Sequence, residues 1–280
     1  MPSAARTNLT SNDVRISNDV RISNCELGEG TFRVCLEGTF IGGNRNQQEA
    51  ACKRFKSEFR ELEDEFFAMD FQIVDKTIEF AESWNDLCPV GKEIMVNKGT
   101  IHSSCSGLRY LVEPLIRRYT KFTSNSGWID DSDEAKVRAM EAFSHFTYDK
   151  SGGQMIVCDL QGRYRPKRNS KTKSRFELSD PAICSRLCNY GPTDLGEKGI
   201  DSFFSNHACN EFCKDYWERP KGAQRWFPAT HGTSMMASHM SHKLKLNHRA
   251  TFRTNLQGIM EDNCGDSDGS DEDSDEDSWY

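Results

Sequence analysis

Apolar and polar residues alternate in the first part of the chain and then take up a longer repeat. The alternation from Cys25 to Phe40, interrupted by glycines, predicts a hairpin of two strands. Residues 70–86 carry apolar side chains at the spacing of one helix face, which predicts a helix. Residues 108–121 indicate two strands separated at Glu113-Pro114, because proline cannot donate a hydrogen bond to a ladder.

The second half of the chain is richer in helical patterns. Residues 130–148 begin with acidic and serine residues that favour an N-cap, and they continue with apolar side chains three positions apart. The apolar run from Met155 to Cys158 follows a Ser-Gly-Gly turn and predicts a short buried strand. Strands therefore dominate the first half and helices the second, which is typical of the α+β class.

The two ends of the chain differ in composition from its body. Residues 1–24 are polar and contain the direct repeat SNDVRI, which predicts a disordered leader, although VRI could add an edge strand. Residues 261–280 hold ten acidic residues and no Lys or Arg, which predicts a disordered acidic tail. We therefore expect a folded domain over residues 25–217 and a C-terminal extension over residues 218–260.

Composition narrows the class of protein. The net charge of -7 belongs to the tail, since the rest of the chain has 36 basic residues against 33 acidic ones. A nearly neutral body argues against a nucleic-acid partner. No apolar run approaches the roughly 20 residues that a membrane helix needs, and the start has no apolar signal region. Eleven cysteines, several of them in apolar runs, favour a reduced, cytoplasmic protein over a disulfide framework.

His207, Cys209 and Cys213 have the composition of a zinc site. Residues four positions apart share one face of a helix, so Cys209 and Cys213 could bind one ion. A structural zinc ion takes four nitrogen or sulfur ligands, and His145 on the neighbouring predicted helix is the preferred fourth. Two further cysteines remain alternatives for that position: Cys184 and Cys188. The other interpretation is that the cluster consists of buried cysteines and capping histidines without a metal.

Two acidic residues and an amide follow the predicted buried strand. Asp159 and Gln161 are separated by one residue, so both side chains face the same side, and Asp180 precedes a proline. Mg²⁺ prefers such oxygen ligands together with substrate phosphates. Lys53 lies in an earlier apolar run, and a glycine-rich turn at residues 191–199 lets the backbone approach an anion or a peptide. These are the components of a phosphoryl-transfer site.

Several motifs agree, in order, with one family. The sequences AFSHFTYDKSGGQMIVCDLQG, LSDPAI, YGPTDLGEKGI and FFSNHACNEFC resemble the alpha-kinases, the atypical protein kinases that include elongation factor 2 kinase and the myosin heavy chain kinases. The resemblance covers residues 25–216. It implies a two-lobed, protein-kinase-like fold with a strand-rich N-lobe, a helix-rich C-lobe and an integral structural zinc ion. It also implies an ATP-dependent serine/threonine kinase that acts on a protein substrate and whose cofactors are ATP, Mg²⁺ and Zn²⁺.

The resemblance assigns a role to each matching residue. Lys53 would hold the ATP phosphates, and Asp159 would orient or deprotonate the acceptor hydroxyl. Gln161 and Asp180 would bind Mg²⁺. Arg33 would lie on the phosphate side of the N-lobe, and Glu113 and Leu115 would meet the adenine at the hinge. The loop from Gly191 to Gly196 would bind the peptide substrate. The implied zinc ligands are His145, His207, Cys209 and Cys213.

One segment departs from the family pattern. Residues 163–175 are basic and contain no acidic residue, and family members usually connect the flanking motifs more tightly. We expect a mobile surface loop, or a site for an acidic or phosphorylated partner such as the chain's own tail. If this insert displaced Asp180, the chain would be a catalytically inactive fold that acts as a zinc-stapled binding module. A zinc-dependent nucleic-acid module is a third interpretation, which the nearly neutral body disfavours.

Overall fold

A computed structural model describes residues 14–15, 19–30, 32–87, 91–132, 134–167 and 173–236. The strands within these ranges are β1 (Val14–Arg15), β2 (Val20–Glu29), β3 (Arg33–Phe40), β4 (Glu49–Phe55), β5 (Lys92–Val96), β6 (Thr100–Ser103), β7 (Arg109–Pro114), β8 (Thr120–Lys121), β9 (Met155–Cys158), β10 (Gln161–Arg165), β11 (Ser174–Leu178) and β12 (Ala182–Ser185). The α-helices are α1 (Glu63–Leu87), α2 (Ala135–Lys150) and α3 (Gly196–Asn206). The predicted acidic tail and residues 237–260 of the predicted extension lie outside the described residues.

The strand-rich lobe is built on a six-stranded sheet with the order β1-β2-β3-β4-β7-β6. The hairpin predicted between Cys25 and Phe40 is confirmed as β2 and β3. However, β2 begins at Val20, and the side chains of Val20 and Ile22 are buried in the sheet core. Residues 1–24, predicted as a disordered leader in which VRI could add an edge strand, contribute the edge strand β1 and the start of β2. The alternation in VRI places Val20 and Ile22 on one covered face.

Helix α1 packs against both lobes. It begins at Glu63 rather than at residue 70, because its first turns carry Phe66 against Phe55 of the sheet, with 5.4 Å between the ring centres. Near its other end, Trp84 is fully buried in the core of the second lobe. Aromatic surface buried at both ends fixes the helix to both lobes. Neither α1 nor any other described helix is long and apolar enough to cross a membrane.

The second lobe contains a four-stranded sheet of order β5-β11-β10-β8, the pair β9 and β12, and helices α2 and α3. Helix α2 is the one predicted over residues 130–148, although Glu134 at its N-cap makes no side-chain capping hydrogen bond. Strand β9 is the predicted buried strand. Side chains from α1, α2, β9 and β11 form the main core of this lobe, which includes Trp84, Met140, Phe143, Phe146, Val157 and Phe176.

The basic segment at residues 163–175 forms strands at both of its ends, where a surface loop was predicted. Strands β10 and β11 pair in antiparallel register through Arg165 and Arg175. Glu177 lies 2.5 Å from Nε of Arg165 and 2.8 Å from Nη2 of Arg175, so an acidic residue just beyond the segment partly neutralises it. Residues 168–172 lie outside the described residues.

Candidate active site and metal centre

Lys53 lies between two carboxylates at the boundary of the two lobes. It is on β4, next to β7, which carries Glu113. Its Nζ is 2.5 Å from Oε1 of Glu113 and also forms an ion pair with Oδ2 of Asp180. Only 12% of the Lys53 side chain and 7% of the Glu113 side chain are exposed. Because Asp180 follows β11, these ion pairs connect the first sheet to the second lobe.

Burial and charge act in opposite directions in this cluster. Burial alone lowers the pKa of Lys53, but the carboxylates of Asp180 and Glu113 outweigh it and raise that pKa well above its usual value. Burial dominates at Glu113, whose pKa is raised even beside Lys53. At Asp180, the nearby cations of Lys53 and then Arg33 lower the pKa of the carboxyl group. The site therefore holds a fixed cation where an anionic phosphate could bind.

Asp180 and Gln161 meet at the end of the β10–β11 hairpin. Nε2 of Gln161 donates a hydrogen bond of 3.2 Å to the backbone carbonyl of Asp180. The Asp180 side chain is 46% exposed, and its φ of +50° turns the backbone sharply after β11. Carboxylate and amide oxygens are ligands that Mg²⁺ prefers, so this pair could hold a magnesium ion.

Asp159 is buried where β9 ends, and its side chain is only 3% exposed. Nζ of Lys121 on β8 lies 2.7 Å from its Oδ1, and the hydroxyl of Thr233 donates a hydrogen bond of 2.6 Å to its Oδ2. The φ of Asp159 is +56°, an uncommon conformation for a residue other than glycine and one that is often found at functional sites. Sequence reasoning identified Asp159 but missed Lys121 and Thr233, because both contacts join segments that are distant along the chain.

The other predicted ATP-binding residues lie in and beside the first sheet. Arg33 forms an ion pair with Asp70 of 2.6 Å, and its guanidinium carbon is 4.4 Å from the centre of the Phe55 ring. Arg33 is near enough to Asp180 to help lower the pKa of that carboxylate. Leu115 follows β7, and its N–H donates a hydrogen bond of 3.0 Å to a backbone carbonyl of β4. Adenine contact at this connection stays a prediction.

The glycine-rich loop depends on two left-handed glycines and one buried aspartate. Gly191 has a φ of +80° and Gly196 a φ of +70°. A β-carbon at Gly191 would lie 2.5 Å from Sδ of Met69 on α1, so no larger residue fits without movement. Sequence reasoning missed Asp194, which accepts hydrogen bonds from the N–H and hydroxyl of Ser185 and from the N–H of Gly196. An aspartate within a turn is the signal that could have identified it.

Four side chains with nitrogen and sulfur donor atoms converge between α2 and the segment that follows α3. Their donor atoms all lie within 4.8 Å of one another, and the residues are His145, His207, Cys209 and Cys213. Nδ1 of His145 lies 3.3 Å from Nε2 of His207 and 3.7 Å from Sγ of Cys209. Cys184, an alternative ligand, is instead buried beside Cys158. Two imidazoles and two thiols are a donor set that fits tetrahedral zinc.

Hydrogen bonds on the remaining ring nitrogens orient both histidines. Nδ1 of His207 lies 2.9 Å from Oε2 of Glu141, and Nε2 of His145 lies 3.0 Å from the backbone oxygen of Glu218. Such partners fix the orientation of imidazole ligands in metal sites. Glu141 precedes His145 by one helical turn, a spacing that could have identified it from the sequence.

The sequence predicts that Cys209 and Cys213 share one face of a helix, but in the structure they do not lie on a helix. Helix α3 ends at Asn206, and Cys209 and Cys213 lie in the turns that follow. The N–H of Cys213 donates a hydrogen bond of 3.0 Å to the carbonyl of Asn210, and this turn brings the two thiols together. Cys188, the other alternative ligand, lies beside Gly196 instead.

A family model described as the alpha-kinase family matches residues 28–213, which include the lysine cluster, Asp159 and the four donors of the metal centre. The chain belongs to the alpha-kinase family. Members of this family are protein kinases that bind ATP. The family resemblance that the sequence predicts is thereby confirmed. The two lobes described above agree with it.

Curated alpha-kinases match this alpha-kinase domain over part of their length. Alpha-protein kinase vwkA of Dictyostelium discoideum is 29% identical over 182 residues, which are 65% of this chain and 26% of that protein. Eukaryotic elongation factor 2 kinase of Caenorhabditis elegans is 33% identical over 139 residues, which are 48% of this chain and 16% of that protein. The chain thus spans about a quarter or less of the length of these relatives.

A solved alpha-kinase domain has the same fold. The inactive alpha-kinase domain of myosin-II heavy chain kinase A, complexed with ATP, superimposes with a TM-score of 0.55 and is 22% identical. The likeness covers 69% of this chain and 87% of that domain. At this identity the comparison establishes the architecture, and the predicted two-lobed α+β fold is confirmed.

Proposed function

We propose that this alpha-kinase is an ATP-dependent serine/threonine protein kinase that transfers the γ-phosphate of ATP to a protein hydroxyl with Mg²⁺. The observation that carries the proposal is the ion-paired cluster of Lys53, Glu113 and Asp180 at the lobe boundary. A buried lysine that carboxylates keep charged offers a fixed cation to phosphate groups. Family membership supports the same activity, and a related domain was crystallised with ATP.

The proposal gives each residue near the lobe boundary a part in phosphate transfer. Lys53 binds the phosphates of ATP, and Gln161 and Asp180 supply oxygen ligands for Mg²⁺. Bound Mg²⁺ neutralises negative charge on the phosphates. Asp159 accepts the proton of the acceptor hydroxyl at one carboxylate oxygen, while Lys121 holds the other oxygen in place. Positioning and charge neutralisation supply most of the rate in such sites.

The remaining assignments complete the proposal at the nucleotide and peptide sides. Arg33 acts on the phosphate side of the N-lobe, and Glu113 and Leu115 mark the hinge that meets the adenine. The backbone of the loop from Gly191 to Gly196 binds the peptide substrate. We place the kinase in the cytoplasm. The basic segment at residues 163–175 is a site for an acidic partner.

Zinc at the His145, His207, Cys209 and Cys213 cluster is the structural part of the proposal. The donor set and the oriented histidines support it. Four protein ligands leave no open position for a substrate, so the ion would hold α2 to the segment after α3 and take no part in phosphate transfer.

The alternative of a catalytically inactive binding module finds no support in the geometry. That alternative depended on the basic insert displacing Asp180. Instead, β11 ends two residues before Asp180, and the carboxylate of Asp180 reaches Lys53 across the lobe boundary.

The decisive experiment is transfer of labelled phosphate from ATP and Mg²⁺ to a generic basic protein, compared between the natural chain and Asp159→Asn. We expect the substitution to lower the transfer rate by roughly 10²–10⁴-fold, the usual contribution of a general base. Asp131→Asn, which changes an exposed aspartate in the same way, should transfer at the rate of the natural chain. Absence of any transfer by the folded natural chain would refute the proposed activity.

A further inference from the structure

The segment from Thr230 to Met236, which follows the family match, docks across the mouth of the site. Both backbone polar groups of Ser234 bind the side chain of Asn125: its N–H donates to Oδ1 (2.9 Å), and its carbonyl accepts from Nδ2 (2.8 Å). The N–H of Met236 donates to the carbonyl of Pro192 at 2.8 Å. The segment is therefore bound through its backbone, as an extended peptide is bound in a cleft.

The same docking places the hydroxyl of Thr233 on Asp159. Oγ1 of Thr233 donates to Oδ2 of Asp159 at 2.6 Å and accepts a hydrogen bond of 3.3 Å from Nζ of Lys121. The proposed role of Asp159 requires the acceptor hydroxyl within hydrogen-bond reach of its carboxylate, and Thr233 meets that condition. Lys121 contacts both the carboxylate and the hydroxyl, so it fixes their relative position.

Thr230 and Ser234, the neighbouring hydroxyl-bearing residues of the segment, are held by other contacts. The hydroxyl of Thr230 lies 3.3 Å from that of Ser126, and Ser234 is anchored by its backbone. Thr233 differs because its own hydrogen bonds go to the two charged side chains of the site. The anchors at Asn125 and Pro192 hold the segment without using the Thr233 hydroxyl, which leaves that group as the one presented to the site.

We propose that Thr233 is an intramolecular phosphate acceptor of this kinase. In the transfer, the bond between Oγ1 and the γ-phosphorus of ATP forms as the bond between that phosphorus and the bridging oxygen of ADP breaks. The proton of Oγ1 passes to Oδ2 of Asp159, and ADP leaves with the bonding electron pair. The inference rests on the proposed function, because it takes ATP as the donor and Asp159 as the base.

The test is to incubate the full chain with ATP and Mg²⁺, in the presence of a generic basic protein, and to map phosphate by fragmentation mass spectrometry over time. Because the acceptor is already docked, the first-order rate constant at Thr233 should not change with the concentration of the chain. Thr233→Val should lose the phosphate at this position completely. Ser234→Ala, a matched loss of the adjacent hydroxyl, should keep it.

The four possible outcomes are distinguishable. Phosphate on Thr233 with a concentration-independent rate constant, absent from Asp159→Asn, supports the inference. Transfer to the basic protein while Thr233 stays unmodified would overturn it and leave the proposed function intact. The same holds if the rate constant at Thr233 rises in proportion to chain concentration, since the acceptor would then come from another molecule. No transfer to either acceptor would refute the proposed function and this inference with it.

Discussion

The side chain of Lys53 has two roles. It compensates the charges of Glu113 and Asp180, and it presents a cation at the lobe boundary. The two tasks are linked, because a buried carboxylate without its partner is costly and breaking a buried ion pair typically costs about 3–5 kcal/mol. A change at this residue should therefore act on stability as well as on phosphate transfer.

Lys53→Met should abolish phosphate transfer and lower the free energy of unfolding by about 3–5 kcal/mol at neutral pH. Burial already raises the pKa of Glu113, and the substitution removes the cation that opposes this rise. The folded variant then binds a proton more tightly than the unfolded chain, so its deficit should shrink as pH falls toward the raised pKa. Urea unfolding at neutral and mildly acidic pH measures this change.

The control for the lysine experiment is Lys98→Met, which removes an exposed lysine paired with Asp75 on the surface. It should change the free energy of unfolding by less than about 1 kcal/mol. Equal losses for the two variants, or a deficit at Lys53 that is the same at both pH values, would contradict the assigned charge cluster.

At the scale of elements, the four-donor cluster connects α2 to a segment that has no regular structure of its own. His145 is on α2, whereas Cys209 and Cys213 lie in the turns after α3. Turns with few internal hydrogen bonds depend on side-chain contacts for their position, and the proposed zinc ion would supply such contacts through its four ligands. We expect the proposed zinc ion to contribute mainly to the stability of the second lobe.

His207→Ala and Cys209→Ala should each abolish zinc binding, where the natural chain binds about one ion per chain. The loss should lower the free energy of unfolding by on the order of 4 kcal/mol or more, as for removal of other metal sites. Zinc content by atomic emission and thermal unfolding measure the two effects. Cys105→Ala, at an exposed cysteine outside the cluster, should change neither. A stably folded Cys209→Ala protein without zinc would show that the ion is dispensable.

At the scale of the whole molecule, residues 214–236, which follow the family match, belong to the folded unit. Trp217 is only 8% exposed and packs in the main core, with ring centres 5.6 Å from Phe146 and 5.5 Å from His145. The carbonyl of Glu218 orients His145, and Thr233 reaches Asp159. The chain therefore returns from the four-donor cluster to Asp159 over residues 214–236.

Trp217→Ala should lower the free energy of unfolding by about 3–5 kcal/mol, because it leaves a cavity in the shared core. Trp226→Ala offers a matched control, since Trp226 is 48% exposed and should cost no more than about 1 kcal/mol. Denaturant unfolding of both variants tests the difference. A small loss at Trp217 would mean that the segment docks on a core that is complete without it.

The sequence by itself determined the elements with a strong local signal, the family, and the donor residues of the four-donor cluster. Alternation predicted the β2–β3 hairpin, helical spacing predicted α1 and α2, and motif order predicted the family. His145 was chosen as the fourth donor from its place on an apolar helix, and it lies in the cluster. The elements depend on periodicity along the chain, and the donor cluster depends on His and Cys, the residue types that bind zinc.

Tertiary structure alone decided which distant residues meet. The ion pairs of Lys53 and the contacts of Lys121 and Thr233 with Asp159 join distant segments and have no local pattern. Strand β2, which begins at Val20, forms because it pairs with β3. The basic segment is ordered at its ends because β8 pairs with β10 and β5 pairs with β11. Contacts between residues far apart in sequence are fixed by packing of whole elements, and periodicity within a segment carries no information about its partners.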